Sequence, residues 1–211
     1  NGDDVADERR VLFTGWGTID THAGPSNLHY GPDNWIHGIV GYSGFDGTVG
    51  GETHSFRQGF FRFRPDGSKL EFLRSTNNNS WGVGISEEGI LFGSTANGNP
   101  SEYMPLANRY YERVRGWAPR VLQMISDSDK IDPIRENIRQ VDFHGRFTAG
   151  AGSALYTARR YPKEYWNRTQ FVCEPTGSLV ATFQLYPDGA SYKSHNSWNL
   201  FVSDDEWTAP I

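Results

Sequence analysis

The sequence predicts an all-β fold of the β-propeller type, in which this chain forms a partial ring of about four blades. Short β-prone runs separated by turns of Gly, Pro, Asp and Asn recur through most of the chain without helical spacers. The composition agrees, since 24 Gly, 7 Trp, 10 Tyr and 13 Phe residues are typical of strands and tight turns. Sandwiches and barrels show similar runs, but the repetition of the unit favours the propeller.

The strands are predicted in chain order from their apolar and aromatic runs. A first run covers residues 11–16, and a second pair of runs flanks the turn at 31–34. The clearest hairpin joins residues 59–64 and 69–74, because aromatic and basic residues alternate there with the period of two that a strand requires. Further units of strand, turn and strand are predicted at 81–93 and 170–185.

One central stretch lacks this pattern. Residues 105–137 mix polar and apolar residues without alternation, and they are interpreted as an insertion that contains one or two short helices. The whole chain, 1–211, is otherwise predicted to be a single propeller segment. Its first residue is not Met, and it stops soon after an apolar run at 200–203, so we interpret it as an excerpt of a longer protein.

Charge and hydropathy exclude several classes of partner. The formal net charge is −5, which makes nucleic acid an unsuitable partner for the chain as a whole. No run approaches the roughly 18 apolar residues of a membrane-spanning helix, so no span is predicted in this segment. Cys173 is the single cysteine, which excludes an internal disulfide and a CxxCH haem attachment within these residues.

Histidines are the first candidates for catalysis, because a neutral imidazole accepts protons near neutral pH. His22 lies in a loop bounded by glycines, where the Asp20 carboxylate is placed to orient its ring. A hydrogen bond that only stabilises the loop is the alternative for this pair. His144 is the second candidate, at the end of a strand-like run that includes residues 142 and 143, and a structural role is its alternative.

Two arginines form the second candidate group. Arg62 and Arg64 share one face of a regular strand, so their guanidinium groups are predicted to converge on a carboxylate, a phosphate or the acidic group of a quinone. The alternative for both residues is an ordinary solvated strand face.

Several longer stretches resemble a known family over nearly the whole chain. They are GWGTIDTHAGPSNLHYGPDNWIHG (15–38), QGFFRFRPDG (58–67), NSWG (79–82), FVCEPTGSLV (171–180) and DDEW (204–207). The chain resembles the membrane-bound dehydrogenases of planctomycetes, verrucomicrobia and relatives, which are also called PVC-type haem-binding CxxCH proteins. Their members look like multidomain secreted proteins, with a propeller similar to that of soluble quinoprotein glucose and sorbosone dehydrogenases and a cytochrome c-like segment.

The resemblance implies which residues lie nearest a site. It marks Asp20 and His22, the strand with Arg62 and Arg64, and Trp81 as positions close to the channel of the propeller. Two features depart from the family pattern. Many relatives have Asn-Pro-Trp-Gly where this chain has NSWG at 79–82, and the CxxCH motif is absent from these residues. Haem c and the electron acceptor are therefore expected outside this segment.

The leading hypothesis is an oxidoreductase of the periplasm or cell surface that oxidises a sugar or alcohol. His22, or else His144, would remove a proton, while pyrroloquinoline quinone (PQQ) with calcium would accept the hydride and a cytochrome c-type partner the electrons. Arg62 and Arg64 would hold the acidic groups of the quinone. The metal ligands are unassigned by the sequence. The alternative is a non-catalytic propeller that binds glycan or protein through exposed aromatic residues, namely Trp16, Trp35, Tyr42, Trp81 and Trp198.

Overall fold

Antiparallel strands make up almost all of the regular structure in the computed structural model, which describes residues 2–118, 120–140 and 144–211. The strands are β1 (Pro25–Tyr30), β2 (Ile36–Val40), β3 (Phe45–Val49), β4 (Glu52–Phe56), β5 (Gly59–Phe63), β6 (Leu70–Ser75), β7 (Ser80–Ile85), β8 (Leu91–Thr95), β9 (Glu102–Met104), β10 (Ala151–Leu155), β11 (Thr169–Glu174), β12 (Leu179–Asp188) and β13 (Ser191–Val202). The described helical segments are the α-helix α1 (Asn108–Tyr111) and three 3₁₀ segments, Thr21–Ala23, Lys163–Tyr165 and Pro175–Gly177. None of the helices in these ranges has the length and apolar character needed to cross a bilayer.

The strands form four sheets, of which three are meanders of the kind found in propeller blades. Blade 1 has the order β1-β2-β5-β6, blade 2 the order β7-β8-β9, and blade 3 the order β10-β11-β12-β13. The fourth sheet is the hairpin β3-β4, which is inserted between the second and third strands of blade 1. The first strand of blade 2, β7, packs against the first strands of both neighbouring blades, β1 and β10. The first strands therefore lie innermost, as they do around a propeller axis.

Apolar side chains fill the spaces between these sheets. Blades 1 and 2 share a cluster that includes Ile39, Phe60 and Val83, all of which are fully buried. A second cluster packs the other face of blade 1 against the β3-β4 hairpin, and a third lies on blade 3 around Phe147 and Phe183. Both faces of the central strands in blade 1 are thus covered, which explains the nearly continuous aromatic run of β5.

The contact between blades 2 and 3 contains a seam of uncharged hydrogen bonds. The Gln170 side-chain amide donates to the Gly93 carbonyl at 3.0 Å and to the Ser153 hydroxyl at 2.9 Å. The Ser101 hydroxyl donates to Gln170 Oε1 at 2.6 Å, and the Ser194 hydroxyl donates to Ser101 at 2.9 Å. All of these side chains are at least nine-tenths buried. The polar side chains of the seam are thus hydrogen-bonded to one another and to the backbone, as buried polar groups require.

Glycines bring the backbones of blades 2 and 3 together beside the axis. A Cβ atom on Gly82 would lie 2.4 Å from the carbonyl oxygen of Gly152, which is closer than a side chain permits. Glycine is therefore required at position 82 by the approach of the neighbouring backbone.

The all-β prediction is confirmed, and so is the hairpin predicted at 59–74, which is formed by β5 and β6. The strand predicted at 11–16 is wrong, since only Trp16 makes an isolated bridge, to Phe45. Its aromatic residues instead pack over the β3-β4 hairpin, with Phe13 and Trp16 against Phe45. The stretch 105–137 contains α1 and isolated bridges at Met124, Ser126 and Lys130, but no continuous strand in its described residues.

Candidate functional site

Four polar side chains form a row across blade 1, and we call His29, His37, Arg62 and Glu71 the polar row. His29 on β1 is paired with His37 on β2, His37 with Arg62 on β5, and Arg62 with Glu71 on β6. Directly paired residues of antiparallel strands point to the same face of the sheet. Each strand of blade 1 therefore contributes one titratable group to this face.

The turn between β1 and β2 adds a carboxylate to the polar row. His37 Nε2 lies 3.1 Å from Oδ1 and 3.2 Å from Oδ2 of Asp33. Because a carboxylate only accepts hydrogen bonds, this contact places the His37 proton on Nε2 and leaves Nδ1 as the basic nitrogen. Nδ1 is enclosed and has no hydrogen-bond partner among the described residues. His37 therefore combines an oriented ring with an unfilled acceptor atom.

Burial keeps this imidazole neutral. The His37 side chain is only 8% exposed, and its burial, aided by the positive charge of Arg62, lowers the pKa below its usual value against the opposing effect of Asp33. Burial, followed by repulsion from His37, also lowers the pKa of His29. A neutral, oriented imidazole is the form that can accept a proton.

Positive charge exceeds negative charge at the other end of the row. Arg62 bonds to Asp33 at 2.8 Å and, through two nitrogens, to Glu71 at 2.9 and 2.8 Å. Arg109 of α1 and Lys69 also reach Glu71, at 3.0 and 3.4 Å. Burial acts to raise the pKa of Glu71, but the hydrogen bond and charge of Arg62 outweigh it, so the pKa is lowered and Glu71 is ionised. Three cations thus contact two carboxylates.

The Trp35 ring packs against the guanidinium groups of Arg62 and Arg64. The guanidinium carbons of Arg62 and Arg64 lie 4.4 and 4.2 Å from the centre of the Trp35 ring, and Arg64 donates to the Asn34 carbonyl at 3.2 Å. Since Trp35 is only 6% exposed, its ring is not available to stack on a sugar. The expectation that Trp35 is exposed is therefore wrong, because two cations cover it.

Three cavities open along the polar row. One of about 420 Å³ lies between the innermost strands and includes His29 in its wall. Two others, of about 280 and 300 Å³, share His37 and Asp33, and the first of them also reaches Arg62 and Arg109. These volumes lie around the lower end of the range of small-molecule sites. The His37–Asp33 pair therefore stands where two cavities meet.

The polar row matches an acidic cofactor better than it matches a metal. Together with the neighbouring Arg64 and Arg109, Arg62 supplies guanidinium groups suited to the carboxylates of a quinone such as PQQ. In the ranges that the structure describes, no three side chains of His, Cys, Asp or Glu are grouped as metal ligands. Calcium, which also binds backbone carbonyl oxygens, therefore stays a prediction from the family resemblance.

Comparison with family models gives a match over residues 1–211 to DUF7133, described as a domain of unknown function. The chain belongs to the DUF7133 family. A search of curated proteins finds no match. Among solved structures, this DUF7133 chain is similar to the PQQ-bound form of an aldose sugar dehydrogenase from Streptomyces coelicolor, at 13% identity and a TM-score of 0.42. The similarity covers 81% of this chain and 48% of that one, so the DUF7133 chain spans about half the length of this structure.

The structure brings Asp20 and His22 together, but away from the arginines. Asp20 accepts a hydrogen bond from the backbone N–H of His22 at 2.8 Å, and its Oδ1 lies 3.6 Å from His22 Nδ1. This loop packs beside Gly41, just after β2, whereas Arg64 contacts Asn34, just before β2. The loop with His22 and the Arg64 side chain therefore contact opposite ends of β2, although both were expected close to the channel.

The remaining predicted site residues lie apart from one another. Trp81 is half-buried on β7, where its carbonyl oxygen accepts a hydrogen bond of 3.4 Å from Ser26 of blade 1. His144 is exposed in a turn, and residues 142 and 143 of its predicted strand lie outside the described residues. The cofactor-binding role of Trp81 and the catalytic role of His144 in the DUF7133 chain stay predictions.

Sequence reasoning missed most of the polar row. His29, His37, Asp33 and Glu71 are separated by up to 42 positions in the sequence and meet only through strand pairing. A signal was present in the hairpin, where Lys69 and Glu71 alternate opposite Arg62 and Arg64 and so predict cross-strand ion pairs. Only the two arginines were selected from this face of the DUF7133 chain.

Proposed function

We propose that this chain is the propeller part of an oxidoreductase that oxidises a sugar or alcohol with a quinone-type cofactor. The observation that carries the proposal is the neutral His37 imidazole, which Asp33 orients at the meeting point of two cavities. Such an imidazole is suited to remove a hydroxyl proton, which is the proton-transfer half of alcohol oxidation. The aldose sugar dehydrogenase noted above adds sugars to the candidate substrates and PQQ to the candidate cofactors.

The polar row and the neighbouring Arg64 would supply both proton transfer and cofactor binding. His37 would take the hydroxyl proton on Nδ1, an enclosed atom that the substrate must reach from one of the two cavities. Asp33 would hold the ring through Nε2 and stabilise the imidazolium that forms. Arg62 and Arg64, steadied over Trp35, would bind the acidic groups of the quinone. The quinone supplies hydride acceptance when it is bound.

The proposal extends to partners and location. Electrons would pass to a cytochrome c-type partner outside these residues, and the protein would work in the periplasm or at the cell surface. Support for both statements comes from the family resemblance of the sequence stretches quoted above. Detection of the full-length protein in periplasmic and surface fractions, with a haem stain for covalently bound haem c, tests them.

Turnover by the full-length protein is the decisive test of the site. The protein is incubated with PQQ, with and without calcium, and a panel of aldoses and alcohols is scored by reduction of a dye. We expect turnover with at least one substrate, and a loss of about 100-fold or more in kcat for His37→Gln. His195→Gln is the matched control, since His195 also bonds to an aspartate, Asp127, but lies on blade 3 outside the cavities of the polar row.

Parallel variants distinguish the two candidate bases. If His22→Gln abolishes turnover and His37→Gln does not, the base lies in the exposed loop with Asp20 and the role given to His37 is wrong. If the wild-type protein shows neither turnover nor PQQ binding by calorimetry, the dehydrogenase function is abandoned.

A non-catalytic glycan-binding propeller is the second candidate function. Exposed aromatic side chains favour it, since Trp198 is 49% exposed and packs edge-on against Tyr165 at 5.8 Å, while Tyr42 is 44% exposed. Such rings can stack on sugars. Glycan-array binding that persists in His37→Gln but disappears in Trp198→Ala would favour this function over the enzyme.

A further inference from the structure

A buried arginine lies beside a large cavity outside the polar row. Arg74 on β6 is only 6% exposed and lines a cavity of about 680 Å³. Its guanidinium group donates to the Leu106 carbonyl at 3.3 Å and lies 4.5 Å from the centre of the Tyr111 ring. Its Nε atom is enclosed and has no acceptor among the described residues.

This guanidinium has no counter-ion within the described ranges. Arg62 shows the contrast, since this half-buried arginine is paired with two carboxylates, Asp33 and Glu71. A charge taken out of water is strongly unfavourable unless an opposite charge and hydrogen bonds compensate it. One carbonyl and one aromatic face leave Arg74 incompletely compensated. An anion from outside the chain would supply the compensation that the Arg74 charge lacks.

The walls of the cavity indicate what the anion is attached to. Arg120 adds a second cation, and Trp117 adds a large aromatic surface that is 63% exposed. The Trp117 ring is stacked on Tyr111, with centroids 5.6 Å apart and planes inclined by 5°. Tyr111 thus connects the buried cation to an exposed aromatic platform. The forked donors of a guanidinium match a carboxylate, and an aromatic platform matches the flat apolar face of a ring.

We propose that this cavity binds a carboxylate carried on a ring, with Arg74 holding the carboxylate and Trp117 stacking on the ring. Uronic acid sugars and aromatic acids both present this chemistry. The site lies on the side of α1 that carries Tyr111, whereas Arg109 and Tyr110 of the same helix line the cavity of the polar row. The proposal is therefore independent of the oxidoreductase function and needs no turnover for its test.

Calorimetry on the full chain, without cofactor, tests the site. The probes are glucuronate and galacturonate, the neutral sugars glucose and galactose, benzoate, acetate and inorganic phosphate. We expect binding of the uronates or of benzoate, and no binding of the neutral sugars. The affinity should fall at least tenfold in Arg74→Met and in Trp117→Ala. It should be unchanged in Arg159→Met, the matched control, because Arg159 also lies over an aromatic ring, that of Trp166 at 4.8 Å, but outside this cavity.

The outcomes separate the possible ligands. Binding of uronates alone assigns a sugar acid, and binding of benzoate alone assigns an aromatic acid; both support the proposal. Equal affinity for acetate or phosphate, unchanged affinity in Arg74→Met, or no binding of any probe overturns it.

Thermal unfolding without ligand gives a second readout that does not depend on finding the right probe. If Arg74 is an uncompensated buried charge, Arg74→Met should unfold at the wild-type temperature or above, since the apolar stem is kept and the charge is removed. A marked fall in Tm would show that the guanidinium is compensated by the fold itself, which contradicts the proposal.

Discussion

The substitution Glu102→Gln tests whether the buried carboxyl of β9 titrates in the neutral range. Glu102 is fully buried, and one of its oxygens accepts from the Asn99 amide at 3.0 Å while Oε1 has no partner among the described residues. Burial raises the pKa of Glu102 from 4.5 to about 8, against the opposing hydrogen bond from Asn99. The folded chain therefore retains a proton up to about pH 8 that the unfolded chain has released.

The sign and size of the effect follow from this difference. Between the unfolded and folded pKa values the native state binds the extra proton, so the free energy of unfolding falls as the pH rises, at about 1.4 kcal/mol per pH unit. Between pH 6.5 and 8 the expected loss is about 2 kcal/mol. Most of this window lies above the ordinary histidine pKa of 6.5, where the histidines with lowered pKa values have little further effect on stability, and below the range of the Cys173 thiol, whose pKa is raised from 9.0.

Urea unfolding at half-unit steps from pH 6.5 to 8 measures the effect in the wild type and in Glu102→Gln. The wild type should lose stability across the window, whereas the variant should be nearly constant, because glutamine keeps the shape of the side chain and cannot titrate. Parallel curves for the two proteins would refute the assignment of the proton to Glu102. If the curves are parallel and the variant is also less stable at every pH, the carboxyl group of Glu102 is already ionised in the folded wild type throughout this range.

Three further predictions concern stability. Gly82→Ala should destabilise the fold by about 2 kcal/mol or more, because the new Cβ would meet the Gly152 backbone, whereas Gly24→Ala, where no atom lies within 4 Å, should change the urea midpoint little. Glu174→Ala should destabilise the fold by about 3 kcal/mol in the same assay, because the buried carboxyl group accepts hydrogen bonds from the backbone N–H groups of Gly177 at 2.6 Å and Ala149 at 3.0 Å. A change under about 0.5 kcal/mol would contradict this role. Below about pH 6.5 the unfolded chain gains a proton that buried His37 does not, so stability should fall with falling pH, and this dependence should be weaker in His37→Gln.

The sequence predicts the all-β fold and its clearest hairpin because these features depend on local alternation and turn residues. The hairpin β3-β4 was not predicted, since glycines interrupt residues 44–51 and β4 is mostly polar, so neither strand shows a clear apolar alternation. Residues 11–16 have such side chains but no partner strand, and they pack as a covering layer. Alternation along one segment indicates a strand only when another segment is placed to pair with it.

Much of the candidate site depends on register, which the sequence does not state. Arg62 and Arg64 were selected correctly as residues of one face, because two positions along one strand suffice to show it. His37 was not selected as a candidate, since its partner Asp33 and its neighbour Arg62 are recognised only once the chain turns into β2 and β2 is paired with β5. The burial of Arg74 was likewise invisible, because it depends on how the stretch after β9 folds back over β6.

The uncharged seam between blades 2 and 3 has a consequence for how the molecule responds to electrolyte. Its amide and hydroxyl groups carry no net charge, so dissolved ions have almost nothing to screen there. The polar row is held largely by ion pairs with partly exposed groups, which added salt weakens. Concentrated sodium chloride should therefore weaken the ion pairs of the polar row in blade 1 and leave the hydrogen bonds around Gln170 intact. Blade 1 and the contact between blades 2 and 3 should thus differ in their sensitivity to salt.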